Sequence, residues 1–201
     1  GGPLPAGLPV IYVFAQADDD QALSLIPDDE GGARIGVRHL IETGCRRIAH
    51  VTGPLRFEAV QLRHRGYLSA LSEAGLAADP DHYLSGAWSE AWGREAVAKL
   101  FDDAASPPDG IFCGNDQIAR GCVDALRERG IEVPGQVAVV GFDNWNVMAE
   151  AARPPLTSVD MNLSELGREA GRLLIDMIGG ETIRGIRRLP CTLVVRQSTR
   201  R

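Results

Sequence analysis

The sequence predicts an α/β fold built on parallel sheet. Three observations carry that expectation. Short β-branched runs alternate with stretches of helical periodicity, the runs are apolar almost throughout, and glycines punctuate the helical stretches. A strand that is apolar on both faces must be covered on both, and helices that return the chain to a parallel neighbour provide the cover.

The expected strands lie at residues 10–14, 47–52, 110–113, 137–142, 156–161 and 192–197. Between them, Ala33, Val37, Leu40 and Ile41 recur at helical spacing, as do Ile118, Cys122, Ala125 and Leu126. Gly93, Ala96, Val97, Leu100 and Phe101 form a third apolar face, and Leu166, Ala170, Leu173, Leu174, Met177 and Ile178 a fourth. Gly44, Gly75, Gly130 and Gly179 each follow one of these patterns or the helix carrying Arg63, where a left-handed residue closes a helix.

Composition narrows the function. A chain of 201 residues with a net charge of −6 has room for one large domain or two small ones and is poorly suited to grip a nucleic-acid backbone itself. The one dense basic run, residues 184–188, reads as a solvated loop, as do the acidic stretches 18–20 and 28–30. Cys45, Cys113, Cys122 and Cys191 are scattered without metal-ligand spacing, so neither a metal, a cofactor nor a disulfide framework is expected. Reduced thiols suit a cytoplasmic protein. No apolar run approaches the roughly 20 residues of a membrane span. Residues 1–9 read as a loop, without the charged and apolar parts of a signal peptide, as though the chain began inside a larger one.

In open parallel sheets, ligands bind beyond the carboxyl ends of the strands. There the sequence places Phe14, a helix carrying Arg63, then Trp88, Asn115-Asp116 and Asp143-Asn144-Trp145. Aromatic faces with amides, an Arg and carboxylates suit a neutral polyhydroxylated ligand: rings cover its C–H faces and forked polar groups bind its hydroxyls. Taken alone, each residue has a plainer reading. Arg63 would serve as a salt-bridge partner, Asn115 and Asp143 as helix caps, Trp88 as core packing, and His64 as a satisfied, partly buried histidine. Only their co-location points to binding.

The run from Gly31 through His39, Gly44 and Ile48 to Thr52-Gly53-Pro54 resembles the start of the C-terminal subdomain in LacI/GalR repressors. Arg63-His-Arg-Gly-Tyr67 is similar to that family's Arg-x-x-Gly-aromatic element, and Ile111-Phe-Cys-Gly-Asn-Asp-Gln-Ile118 to its Asn-Asp motif. The run from Val133-Pro-Gly to Gly141-Phe-Asp143, then Pro154-Pro-Leu-Thr157 and Leu193 to Thr199, follow in the same order. The resemblance implies a periplasmic-binding-protein-like core, type I. It would have two Rossmann-like parallel-sheet subdomains, residues 1–27 with 160–190 and residues 28–159 with 191–201, and a small effector, a sugar or similar polar molecule, in the cleft between them. By matching motifs, Arg63, Asn115 and Asp143 would bond the effector and Trp88 would stack on it. Phe14 and Leu163 would contribute from the N-terminal subdomain. Phe14 stands where some sugar-binding members carry a polar residue, and Asn144 replaces a common second Asp.

The family's helix-turn-helix headpiece, hinge and first βα units have no counterpart ahead of Val10. An incomplete N-terminal subdomain is therefore expected, with exposed apolar strands that pair with a partner chain or destabilise the fold. The implied function is effector sensing in a DNA-binding transcription repressor, a cytoplasmic homodimer that meets operator DNA through its headpiece. Residues 146–153 and the helix after Asn115 are candidate dimer contacts. Two other classes stay open: a periplasmic sugar-binding protein of a transport system, and an α/β enzyme using Asp116 or Asp143 as acid or base. No GxSxG, P-loop, HExxH or GxGxxG supports catalysis, and no catalytic residue is assigned.

Overall fold

The computed structural model describes residues 8–19, 21–102 and 105–200. Residues 1–7 of the opening stretch and Asp20 of the first acidic run lie outside the described residues. The chain divides into two compact units. One takes the residues up to Asp28 together with Met161–Pro190, the other Asp29–Asp160 together with Cys191 onward.

The first unit holds β1 (Ile11–Val13) and β2 (Leu23–Pro27), the helix α6 (Leu163–Ile178) and β8 (Gly185–Leu189), with the strands parallel in the order β1-β2-β8. Leu166 and Leu173 of α6 pack on Leu23 and Leu25 of β2, the small core of this unit. The basic run at 184–188 is therefore not a loop but most of β8, in full register with β2. Its arginines are exposed, and only pairing with a fully buried neighbour makes it a strand.

The larger unit contains α1 (Asp29–Glu42), β3 (Ile48–Thr52), α2 (Glu58–Glu73), β4 (Tyr83–Ser85), α3 (Glu90–Phe101), β5 (Gly110–Cys113), α4 (Asp116–Glu128), β6 (Ala138–Phe142), α5 (Asn146–Ala149), β7 (Thr157–Asp160) and β9 (Thr192–Val194). Its six strands run in the order β4-β3-β5-β6-β7-β9, all parallel except β9. β3, β5 and β6 are buried at every residue, as strands covered on both faces are, although β3 carries His50 and Thr52 among its apolar residues. Ala49, Val51, Ile111, Cys113 and Val139 meet α3 and α4 on one face. On the other, α1 lies so close that a Cβ on Gly36 would fall 3.2–3.4 Å from Val159, Val140 and Phe112.

Three local expectations are corrected. The acidic stretch 28–30 is no solvated loop, because Asp29 and Glu30 open α1, where carboxylates favour the helix N-terminus. The left-handed residue after α6 is Gly180 rather than Gly179. The last strand stops at Val194, and Arg196 beyond it meets a side chain instead of the ladder, its N–H donating to Thr157 Oγ1 at 2.8 Å. Ser198 Oγ donates to Val139 O at 2.6 Å and accepts from Thr157 N at 2.8 Å, while Thr199 Oγ1 lies 2.7 Å from Thr157 Oγ1.

His50 on β3 stands in a stack of rings with His64, Tyr67, Tyr83 and Phe112. His64 is not the satisfied histidine expected: it stacks on Tyr83 at 3.8 Å, but its Nδ1 has no hydrogen-bond partner among the described residues. Burial pulls the His50 pKa down to about 3, so the unfolded chain binds a proton there that the folded chain refuses. His50 thus contributes stability above its unfolded value near 6.5 that is lost as pH falls towards about 3. His50→Phe keeps a ring in the stack and removes that titration. Relative to the parent, this variant is expected to gain about 1.4 kcal/mol for each pH unit below about 6.5. Parallel denaturant melts across that range are the check, and a constant difference between the two proteins would refute the burial of a neutral imidazole.

Candidate functional site

The order of the larger sheet reverses at β3. From β3 the chain moves outward to β4 and returns to the opposite side at β5. Such a switch point leaves a crevice beyond the carboxyl ends of the two central strands, with no crossover filling it. β3 ends at Thr52-Gly53 and β5 at Cys113-Gly114.

Trp88 lies over this junction. A Cβ on Gly53 would fall 2.3 Å from its indole and one on Gly114 3.1 Å from it, so both positions must be bare for the ring to rest on the backbone. The indole is half-buried, with Phe57 tilted beside it at 6.2 Å between centroids. The second indole nearby, Trp92, belongs to the core and donates Nε1–H to Thr52 O at 2.9 Å.

Arg63 reaches the same place from α2. It is 5% exposed, and its guanidinium is held on three sides. Nε and Nη2 lie 2.8 and 2.7 Å from Asp29 Oδ1, Nη1 donates to Gly114 O at 2.5 Å, and the plane covers the Phe142 ring at 3.7 Å. Asp143 Oδ1 lies 3.9 Å from Nη1. The Arg-x-x-Gly-aromatic element is thereby explained. Arg63 pairs with the start of α1, Gly66 lets α1 approach, and Tyr67 Oη donates to Ile48 O at 2.8 Å.

Asn115 is the helix cap of its plainer reading, and by position it is also a candidate site residue. Its Oδ1 accepts from Ile118 N at 2.9 Å, which leaves the amide Nδ2 without a hydrogen bond among the described residues. Asp116 turns inward instead. Its carboxylate accepts Ser158 Oγ–H at 2.6 Å and Trp145 N–H at 2.7 Å, tying the start of α4 to the loop after β6. Burial lifts its pKa to about 7. Asn144 is equally structural, donating to Asp160 Oδ2 at 2.8 Å and accepting from Arg196 at 2.8 Å.

Asp143 is held differently. Its backbone sits at φ 102°, which a residue with a side chain adopts at a cost of about 1–3 kcal/mol. Burial lifts its pKa to about 6, against the pull of Arg63 and with a push from Asp29. A carboxylate kept near a buried guanidinium yet one-third exposed is free to accept bonds from an outside donor.

Arg63, Trp88, Asn115 and Asp143 thus converge around Gly114 in the larger unit. Phe14 and Leu163 belong to the smaller one, where both are exposed, Phe14 at φ 62° and Leu163 as the first residue of α6. Sequence reasoning missed Asp29, which was legible as an acidic helix start, and the Gly114 carbonyl, which no sequence signal marks. Among the described residues there is no cluster of three metal-ligating side chains and no helix long and apolar enough to cross a membrane.

A profile of the periplasmic binding protein-like domain family matches residues 37–199. Fold and site together define a ligand-binding domain of that type, and the chain belongs to this family. The HTH-type transcriptional regulator CelR of Thermobifida fusca is 38% identical over 204 residues, which cover 98% of this chain and 59% of CelR. The HTH-type transcriptional repressor CytR of Escherichia coli K12 is 34% identical over 165 residues, covering 82% of this chain and 48% of CytR. Among solved structures, a transcriptional regulator CelR–cellobiose complex superposes with a TM-score of 0.82 at 38% identity, over 96% of this chain and 59% of that one. The relatives are transcription regulators, and the chain is an effector-binding domain of the LacI type. It spans 48% and 59% of the length of these two curated relatives.

Proposed function

We propose that this domain senses a neutral carbohydrate, or a similar small polyhydroxylated effector, at the carboxyl ends of β3, β5 and β6. One observation carries the reading: Trp88 lies on the bare backbone of Gly53 and Gly114, across the switch point of the sheet. Its outer face is a platform for the C–H face of a sugar ring, with the Asn115 amide and the Asp143 carboxylate nearby for hydroxyls. Arg63 acts mainly by fixing Gly114 and Asp143, while Phe14 and Leu163 are assigned apolar contacts. The cellobiose in the CelR complex supports the ligand class.

In the complete regulator, a cytoplasmic homodimer, the effector would act on operator DNA by binding one arrangement of the protein more tightly than another. A coupling of about 1–3 kcal/mol is typical of such linkage. Exposed Val147 in the 146–153 segment, with exposed Trp145 just before it, favours that stretch, with α4, as a dimer contact.

The test is thermal stability of the protein against a panel of mono- and disaccharides. At least one sugar is expected to raise Tm in a concentration-dependent way, by mass action on the folded state. A panel that leaves Tm unmoved contradicts the reading. Binding should also depend on pH through Asp143. Hydroxyl donors favour its carboxylate, so affinity is expected to hold above about pH 6 and to fall at lower pH, by at most roughly tenfold per unit. Asp143→Asn should bind more weakly and lose this pH dependence, as read by calorimetry at two pH values.

A further inference from the structure

At the end of the larger unit opposite Trp88, a cavity opens beside the amino ends of β6 and β7. Residues 130–135 lead into β6 and residues 153–154 lie shortly before β7, and both stretches line it, together with the second half of α4. Its volume is about 450 Å³, within the range of small-molecule sites. Val123 of α4 is buried, and Ile131 and Val133 are half-buried against the core. With Pro134 and Pro154 they make the lining mainly aliphatic.

Three exposed charged residues complete it, Arg127, Glu132 and Arg153. Arg127 is committed elsewhere: Nη2 donates to Asp124 Oδ1 at 2.7 Å and Nη1 to Arg153 O at 3.4 Å. Arg153 turns Nη1 onto the Glu150, Ala151 and Ala152 carbonyls, at 3.3, 3.0 and 2.8 Å. Its Nε and Nη2 are left without a hydrogen bond among the described residues. They form one edge of the guanidinium, the fork that takes a carboxylate side on. Glu132 engages Gln136 through its backbone, while its carboxylate makes no hydrogen bond or ion pair among the described residues. No aromatic ring and no side-chain amide lines this cavity, so it lacks the groups that suit the Trp88 site to a sugar.

We propose that the cavity binds a free α-amino acid with an aliphatic side chain. The open edge of Arg153 takes the α-carboxylate, Glu132 takes the α-ammonium group, and the aliphatic lining removes the side chain from water. A neutral apolar molecule would leave both charges unused, and a simple carboxylic acid would meet an unpaired Glu132. The cavity shares no residue with the Trp88 site, so the two ligand readings stand or fall separately.

Calorimetric titration of leucine, isoleucine and valine into the parent protein, Glu132→Gln and Arg153→Gln tests it, each amino acid being paired with the acid that lacks its ammonium group (isocaproate for leucine). At least one amino acid is expected to bind the parent roughly tenfold or more tightly than its deaminated partner. Glu132→Gln should abolish that preference, and Arg153→Gln should weaken both compounds by roughly tenfold. Arg153 also holds the end of α5, so the exposed Glu132, which supports no other side chain, provides the decisive variant. A parent that binds none of the three at millimolar concentration overturns the proposal, as does a preference that survives Glu132→Gln. If no amino acid binds and Arg153→Gln instead weakens self-association in sedimentation, the groove belongs to a contact between copies of the chain and the proposal is wrong.

Discussion

Arg63→Ala is expected to destabilise the protein by about 3–5 kcal/mol, as breaking one side of a buried ion pair does. The substitution strands the Asp29 carboxylate, whose side chain is 13% exposed, and leaves the Gly114 carbonyl without its donor. It also uncovers one face of Phe142. Lysine restores a charge but neither the fork that spans Asp29 and Gly114 nor the flat group that covers the ring, so Arg63→Lys should recover only part of the loss. Removing both charges with Arg63→Met and Asp29→Leu is expected to be milder than Arg63→Ala alone, because no buried charge is left unpaired. Urea melts of the four proteins measure this directly. A loss below about 1 kcal/mol in Arg63→Ala would place the pair among ordinary surface bridges. The ordering also bears on ligand studies: weaker binding by Arg63→Ala reports first on a displaced Gly114 and Asp143, and only second on a missing ligand contact.

The second large effect belongs to Gly66, one helical turn beyond Arg63. A Cβ there would fall 2.2 Å from Glu30 O and 2.8 Å from Ala33 Cβ, and the nearer obstacle is backbone. Alanine would favour the helix by about 1 kcal/mol if nothing else changed. The overlap forces α1 away from α2 instead, an overpacking that costs up to about 3 kcal/mol or more, so a net loss near 2 kcal/mol is expected. Since Asp29 opens α1, the same displacement lengthens its bond to Arg63. Losses from Gly66→Ala and Asp29→Asn should therefore combine non-additively. Gly171, on α6 with nothing within 4 Å of a Cβ, is the control, and Gly171→Ala is expected to stabilise slightly. Gly66→Ala as stable as the parent in the same melts would contradict the close approach.

The sheet of the larger unit was legible because β3, β5 and β6 are mostly apolar runs, each with a helical stretch after it. β2 was not, since Leu-Ser-Leu-Ile-Pro is short, carries a Ser and a Pro, and is buried only by its neighbours. β8 was misread for the converse reason, exposed arginines on a strand whose order comes from pairing alone. The meeting of Trp88, Asn115 and Asp143 could be expected from the rule that ligands gather at strand carboxyl ends. Apart from the Asn115 cap, which atoms are already engaged could not. Asn115 shares its oxygen with Ile118, Asp116 is taken up by Ser158 and Trp145, and Arg63 by Asp29 and Gly114. The partners of Asp116 and Arg63 lie tens of residues away in sequence and are brought close only by the crossovers.

Trp88 is the residue on which the proposed sensing role turns, and its most direct test is a calorimetric titration of the sugar that stabilises the protein, compared between the parent and Trp88→Ala. Loss of the stacking platform is expected to weaken binding by at least roughly tenfold while the protein stays folded. Undiminished affinity in a folded Trp88→Ala protein would mean that the effector binds elsewhere, and that the switch point between β3 and β5 is not the sensing site.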